Sequence, residues 1–151
     1  MAVSDLGKVC LFSGISGVIT LNGKPVANAK LVRTADRDGV RTDETTTDEK
    51  GYFSMPPVFE RTVTKYLPQE FVVSQQINVI FNGEKYELWS AVKRKPEENT
   101  EALGKRLVVE CELNNEVNHI AVDRSVFFTL CTWDVKPDDP LELDNLFEPG
   151  T

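Results

Sequence analysis

Asn82-Gly83 lies between two apolar, β-branched runs, Phe71 to Phe81 and Glu84 to Val92. Asn-Gly supplies the two positive φ angles of a tight two-residue hairpin turn. A two-residue loop sets Phe81 opposite Glu84, Val79 opposite Tyr86 and Ile77 opposite Leu88. Ile77, Val79, Phe81, Tyr86 and Leu88 then share one face, so register and hydrophobic pattern agree. A chain committed to this hairpin needs further strands to cover that face.

The rest of the sequence offers them. Ser16 to Leu21 ends at a second Asn-Gly turn, Asn22-Gly23, and Pro25 marks a strand margin. Ala29 to Thr34 is the next strand, and Asp36 to Gly39 is a turn. Val40 to Thr47 alternates threonine with charge, as an edge strand does. After the turn at Asp48 to Gly51, Tyr52 to Met55 is a short strand stopped by Pro56-Pro57. Lys93 to Lys105 reads as a loop with a helical turn between Glu97 and Leu103. Leu107, Val109, Cys111 and Leu113 alternate inward, and Ile120 to Val122 and Val126 to Trp133 are the last strands. Short strands at regular turn spacing, with no helix of ten residues, point to a β-sandwich.

With 151 residues, the chain suits one domain. We place it at 1–133, followed by an acidic tail at 134–151. In that tail six acids stand against Lys136 alone, a formal −5 of the chain's −7. Leu141, Leu143, Leu146 and Phe147 give the tail an apolar edge, fit to dock on this sandwich or on a partner. The negative balance disfavours nucleic acid and anionic membranes, which need a basic face, and favours a basic protein partner. No apolar run approaches a membrane span. The N-terminus has no basic region before a hydrophobic stretch, so the expected location is cytoplasmic. Cys10, Cys111 and Cys131 form no CxxC pattern, and Cys111 and Cys131 read as two buried small hydrophobes.

The segment Ser16-Gly17-Val18 through Asn22-Gly23-Lys24-Pro25-Val26 to Ala29, followed by Thr46-Thr47-Asp48-Glu49-Lys50-Gly51-Tyr52-Phe53, resembles the carboxypeptidase regulatory-like domain. The resemblance covers about residues 16–59 and implies a transthyretin-like β-sandwich, here with extra strands. It places Phe53 between the sheets, Gly23 and Gly51 in tight turns and Ala29 at a close sheet contact. The whole chain also resembles bacterial proteins of this fold associated with secretion systems.

Catalytic patterns are sparse. Hydroxyisourate hydrolase shares the transthyretin fold but uses several histidines and a terminal Tyr-Arg-Gly-Ser. This chain has His119 alone and ends Glu148-Pro149-Gly150-Thr151. No GxSxG motif accompanies His119, which reads as a loop or strand-end residue. Asp36 and Asp38 lack the alternate acids and the distal glutamate of a calcium loop, so no metal and no cofactor are expected. The expected function is a non-catalytic protein-interaction module: a bacterial accessory, adaptor or immunity-type protein. The alternative is a carbohydrate-binding module using Trp89, Tyr66 and Tyr86. Trp89 follows Leu88 and so faces away from the Ile77 and Val79 side, either under the 93–105 loop or in an exposed patch. Trp133 is expected to close the end of the sandwich.

Overall fold

The computed structural model describes residues 7–61 and 71–139. Its strands are β1 (Lys8–Phe12), β2 (Ile15–Leu21), β3 (Lys24–Pro25), β4 (Lys30–Asp36), β5 (Val40–Thr46), β6 (Tyr52–Met55) and β7 (Val58–Arg61). Then come β8 (Val73–Phe81), β9 (Glu84–Lys93), β10 (Leu107–Glu112), β11 (Asn118–Val122), β12 (Ser125–Thr129) and β13 (Cys131–Trp133). The one helical element among the described residues is a 3-10 turn at Thr100–Ala102, inside the loop expected to hold one. No described helix is long and apolar enough to cross a membrane.

Two sheets enclose the core. One has the order β11-β12-β9-β8-β4-β5. The other runs β13-β10-β2-β3, with β6 also paired to β2. A separate ribbon joins β1 to β7. Ile19, Phe53 and Val109 from the smaller sheet meet Leu31, Ile77, Val79 and Phe127 from the larger one in a single apolar cluster. The architecture is an all-β sandwich. Phe53 is 1% exposed, so the core position assigned to it holds. As expected, β5 is an edge strand, and the turns at Asn22-Gly23 and Asn82-Gly83 have all four φ angles positive.

Two glycines are required by close approach. A Cβ on Gly17 would sit 2.0 Å from the carbonyl oxygen of Val109, where β2 runs parallel to β10. Gly51, at φ 79°, faces the Ile19 carbonyl, which a Cβ would approach to 2.4 Å. Only hydrogen fits either place, and Gly51 also occupies a backbone region that L residues rarely adopt.

The β8–β9 hairpin departs from the expected register at one point. Phe81 pairs with Glu84 and Val79 with Tyr86, but Ile77 pairs with Trp89 rather than Leu88. A bulge between Ile77 and Asn78 absorbs the extra residue. Leu88 and Trp89 are therefore both turned inward and both 0% exposed. Trp89 stacks among Phe12, Phe127 and Trp133, with ring centroids 5.9, 5.2 and 5.0 Å away.

The reading of Cys111 and Cys131 as unpaired is also corrected. They are buried, but they face each other across β10 and β13 and form a disulfide, with Cα atoms 4.0 Å apart. Antiparallel pairing brought together two cysteines 20 residues apart. The chain between them folds out as β11 and β12 of the other sheet. Cys10 is free and buried, and burial pushes its thiol up to about 11.

Candidate functional site

Three charged side chains lie wholly inside the sandwich: Arg33 on β4, Lys93 at the end of β9 and Glu101 in the 3-10 turn. Charge is kept in a core only when it is paired or fully hydrogen-bonded. Arg33 forms a two-pronged pair with Asp43, at 2.9 and 2.7 Å, and donates to the Pro56 carbonyl at 2.6 Å. A further, longer bond of 3.5 Å runs from Arg33 to the Ser13 carbonyl. Its guanidinium also covers the Phe12 ring at 5.0 Å.

Glu101 accepts from the Ser13 hydroxyl at 2.6 Å, the Ser13 amide at 3.1 Å and Gln75 Nε2 at 3.1 Å. Gln75 in turn accepts from Trp89 Nε1 at 3.0 Å. Lys93 donates to the carbonyls of Lys95 and Glu97 and to the Thr100 hydroxyl. Burial lowers the Lys93 pKa, and the nearby Glu101 charge opposes that shift.

These bonds have a common geometric result. Arg33 and Ser13 fix the Ser13-Gly14 corner and the Pro56-Pro57 corner. Lys93, with the bond from the Asn99 amide to the Ser13 hydroxyl at 2.7 Å, fixes loop 94–100. The three segments form the walls of a cleft of about 320 Å³ at the start of β2 and β10. Into it face Ser16, Ser54, Glu98, Asn99 and Arg106. Among the described residues the Arg106 guanidinium makes no ion pair or hydrogen bond, and neither do the Ser16 and Ser54 hydroxyls. The cleft is thus rigid from below and chemically unspent above.

The cleft opens onto the outer face of the smaller sheet. Alternation along β2, β6 and β10 turns Val18, Tyr52 and Val108 outward, at 37%, 46% and 56% exposure. Val18 lies directly across from Tyr52, and Ser16 across from both Ser54 and Val108. A second hollow of about 370 Å³, lined by Val18, Thr20, Glu110, Glu112 and Thr132, lies at the other end of this face. Glu112 there is already engaged. Its carboxylate accepts from the amides of Gly23, Asn114 and Asn22 at 2.8, 2.9 and 2.9 Å, and from the Thr20 hydroxyl at 3.0 Å. These backbone donors hold its pKa at about 2. Glu112 ties two turns together, which leaves Glu110 as the carboxylate of this hollow without such backbone bonds.

Of the residues expected to bind a partner, Trp89 is corrected: it is a core residue and presents nothing to solvent. Tyr66, Leu141, Leu143, Leu146 and Phe147 lie outside the described residues. The start of the tail is described. Lys105 pairs with Asp134 at 3.1 Å. The Asp138 amide donates to the Ala121 carbonyl at 2.7 Å, and its carboxylate accepts from the amides of Asp123 and Arg124. Trp133 packs against Trp89 and Phe127 and donates to the Glu101 carbonyl at 2.9 Å, closing the sandwich end as expected. His119 is exposed on β11, edge-on to Phe128 with centroids 4.6 Å apart. No group of three or more potential metal ligands occurs among the described residues.

Sequence reasoning missed Arg106, Ser16, Ser54 and Asn99, which are ordinary surface residue types. One signal was present: the inward alternation of Leu107 and Val109 forces Val108 outward.

The molecule is therefore an all-β sandwich with a polar cleft joined to an exposed apolar strip on one sheet. Residues 15–116 match the family described as Domain of unknown function (DUF6795), and the chain belongs to that family. No curated protein matches the chain, and no solved structure does.

Proposed function

We propose that the protein is a non-catalytic protein-interaction module that binds its partner through the outer face of the β13-β10-β2-β6 sheet. The observation that carries this reading is the outward-facing Val18, Tyr52 and Val108 on three neighbouring strands beside a cleft with hydrogen-bonded walls. Exposed apolar groups clustered on one face, with polar groups around them, are the usual composition of a protein contact. The resemblance of residues 16–59 to the carboxypeptidase regulatory-like domain fits such a module, as does the accessory, adaptor or immunity-type role expected from the chain's acidity and sparse catalytic patterns. Burial of Trp89 removes the aromatic on which the carbohydrate alternative chiefly rested.

The Cys111–Cys131 disulfide weighs toward an oxidising compartment and away from the cytoplasm.

The test is partner capture by wild type and by three single variants. Val108→Asp and Tyr52→Asp place charge on the strip, and Thr42→Lys alters the exposed edge strand β5. The strip variants should weaken the recovered complex by about tenfold or more, as loss of an interface anchor does. Thr42→Lys should bind as wild type. Full binding by both strip variants, with their melting temperatures unchanged, would refute the assignment of this face.

A further inference from the structure

The reading of the sheet face leaves the chemistry of the cleft unassigned. We infer that the cleft binds the C-terminal carboxylate of an extended partner segment, with Arg106 as its anchor and the apolar strip receiving the residues that precede it. The inference rests on the sheet-face reading and specifies which part of a partner enters.

Charge complementarity is the first argument. Arg106 immediately precedes β10, two residues before the outward-facing Val108, and makes no contact with a carboxylate among the described residues. A guanidinium offers two parallel N–H groups that match a carboxylate. The Ser16 and Ser54 hydroxyls, opposite each other in register, are further donors on the same cleft.

Shape is the second argument. Gly14, Pro56-Pro57 and the 98–99 loop wall the cleft at the strand ends, whereas the sheet face continues from it along the strands. Arg33 and Lys93 hold those walls from inside. A chain lying on the face can therefore end in the cleft, against these loops. A terminus fits this arrangement better than an internal Asp or Glu. A strand-like segment also presents alternate side chains to one face, and Val108, Val18 and Tyr52, on three neighbouring strands beyond the cleft, offer apolar contact to them.

Glu98 supplies a control. It lines the same cleft and opposes an incoming anion, so its neutralisation should tighten binding.

The experiment uses the full chain and a hexapeptide library displayed with free C-termini. Recovered peptides are resynthesised as free acid and as C-terminal amide, then titrated against the 15N-labelled protein. The acid should bind about tenfold or more tightly than the amide and shift the amides of Ser16, Ser54, Asn99 and Arg106. Arg106→Gln should abolish the preference for the acid, and Glu98→Gln should strengthen it by about two- to threefold. Arg106 is exposed and free of described contacts, so its variant should fold as wild type. Equal binding of acid and amide along Val18, Tyr52 and Val108 overturns the carboxylate assignment and leaves the sheet-face reading standing. Recovery of no peptide, or an undiminished acid preference in Arg106→Gln, also overturns it.

Discussion

Replacing Glu101 by alanine tests whether the buried charges hold the fold or merely occupy it. The substitution leaves three donors facing the vacated space: the Ser13 amide, the Ser13 hydroxyl and Gln75 Nε2. It also removes the carboxylate that stabilises the charged form of Lys93. Removing one member of a buried charge cluster costs about 3–5 kcal/mol. In a domain of this length each kcal/mol is about 2–4 °C, so Glu101→Ala should melt roughly 10 °C below wild type. Glu101→Gln keeps one acceptor but sets an amide N–H2 against donors, and should cost about 2 kcal/mol. Urea titration followed by tryptophan emission is a suitable assay, since Trp89 bonds to Gln75 and Trp133 to the Glu101 carbonyl. Glu98→Ala, one turn away on the exposed side of the loop, should stay within about 0.5 kcal/mol. A Glu101→Ala midpoint corresponding to a loss under about 1 kcal/mol, at unchanged slope, would show that the network is dispensable.

Three further outcomes are expected. Reduction of Cys111–Cys131 opens a loop of separation 20 and should lower stability by about 3 kcal/mol, read as the urea midpoint with and without reductant. Phe53→Ala should cost about 3–5 kcal/mol, and a midpoint near wild type would dislodge Phe53 from the core. Glu112 has its pKa depressed from 4.5 to about 2, so its stabilising effect is fully present above pH 4.5 and is lost as pH falls toward 2. The melting-temperature difference between wild type and Glu112→Gln should be constant above pH 4.5 and shrink below it, and a difference independent of pH would contradict the bonds assigned to its carboxylate.

Local chemistry made much of the fold legible. Asn22-Gly23 and Asn82-Gly83 dictate their turns through φ angles alone, and the alternation of Leu107, Val109 and Cys111 names an inward face without knowledge of what covers it. The bulge at Ile77/Asn78 was not legible, because Leu88 and Trp89 are both apolar and either can oppose Ile77. One inserted residue then reversed the direction assigned to Trp89. The disulfide and the Ser13–Glu101 bonds join positions far apart in sequence, and no spacing rule connects them. The cleft was hidden for a different reason: serine, asparagine and arginine on strand ends look alike whether or not three loops converge above them.

The parallel pairing of β2 with β10 has a consequence for how the chain reaches this state. Ile15 meets Leu107 and Thr20 meets Glu112, so the sheet that carries the candidate site cannot close until most of the chain has left the ribosome. The β4-β8-β9 portion of the other sheet can assemble earlier from its own antiparallel pairs. During that interval β2 has β6 and β3 on one side and an open edge on the other. Contacts of such long sequence separation slow folding, and an open edge of this kind recruits other chains. Fragments ending before Leu107 should therefore accumulate as aggregates, and synthesis that stalls in the 94–106 loop should leave the nascent chain dependent on chaperones.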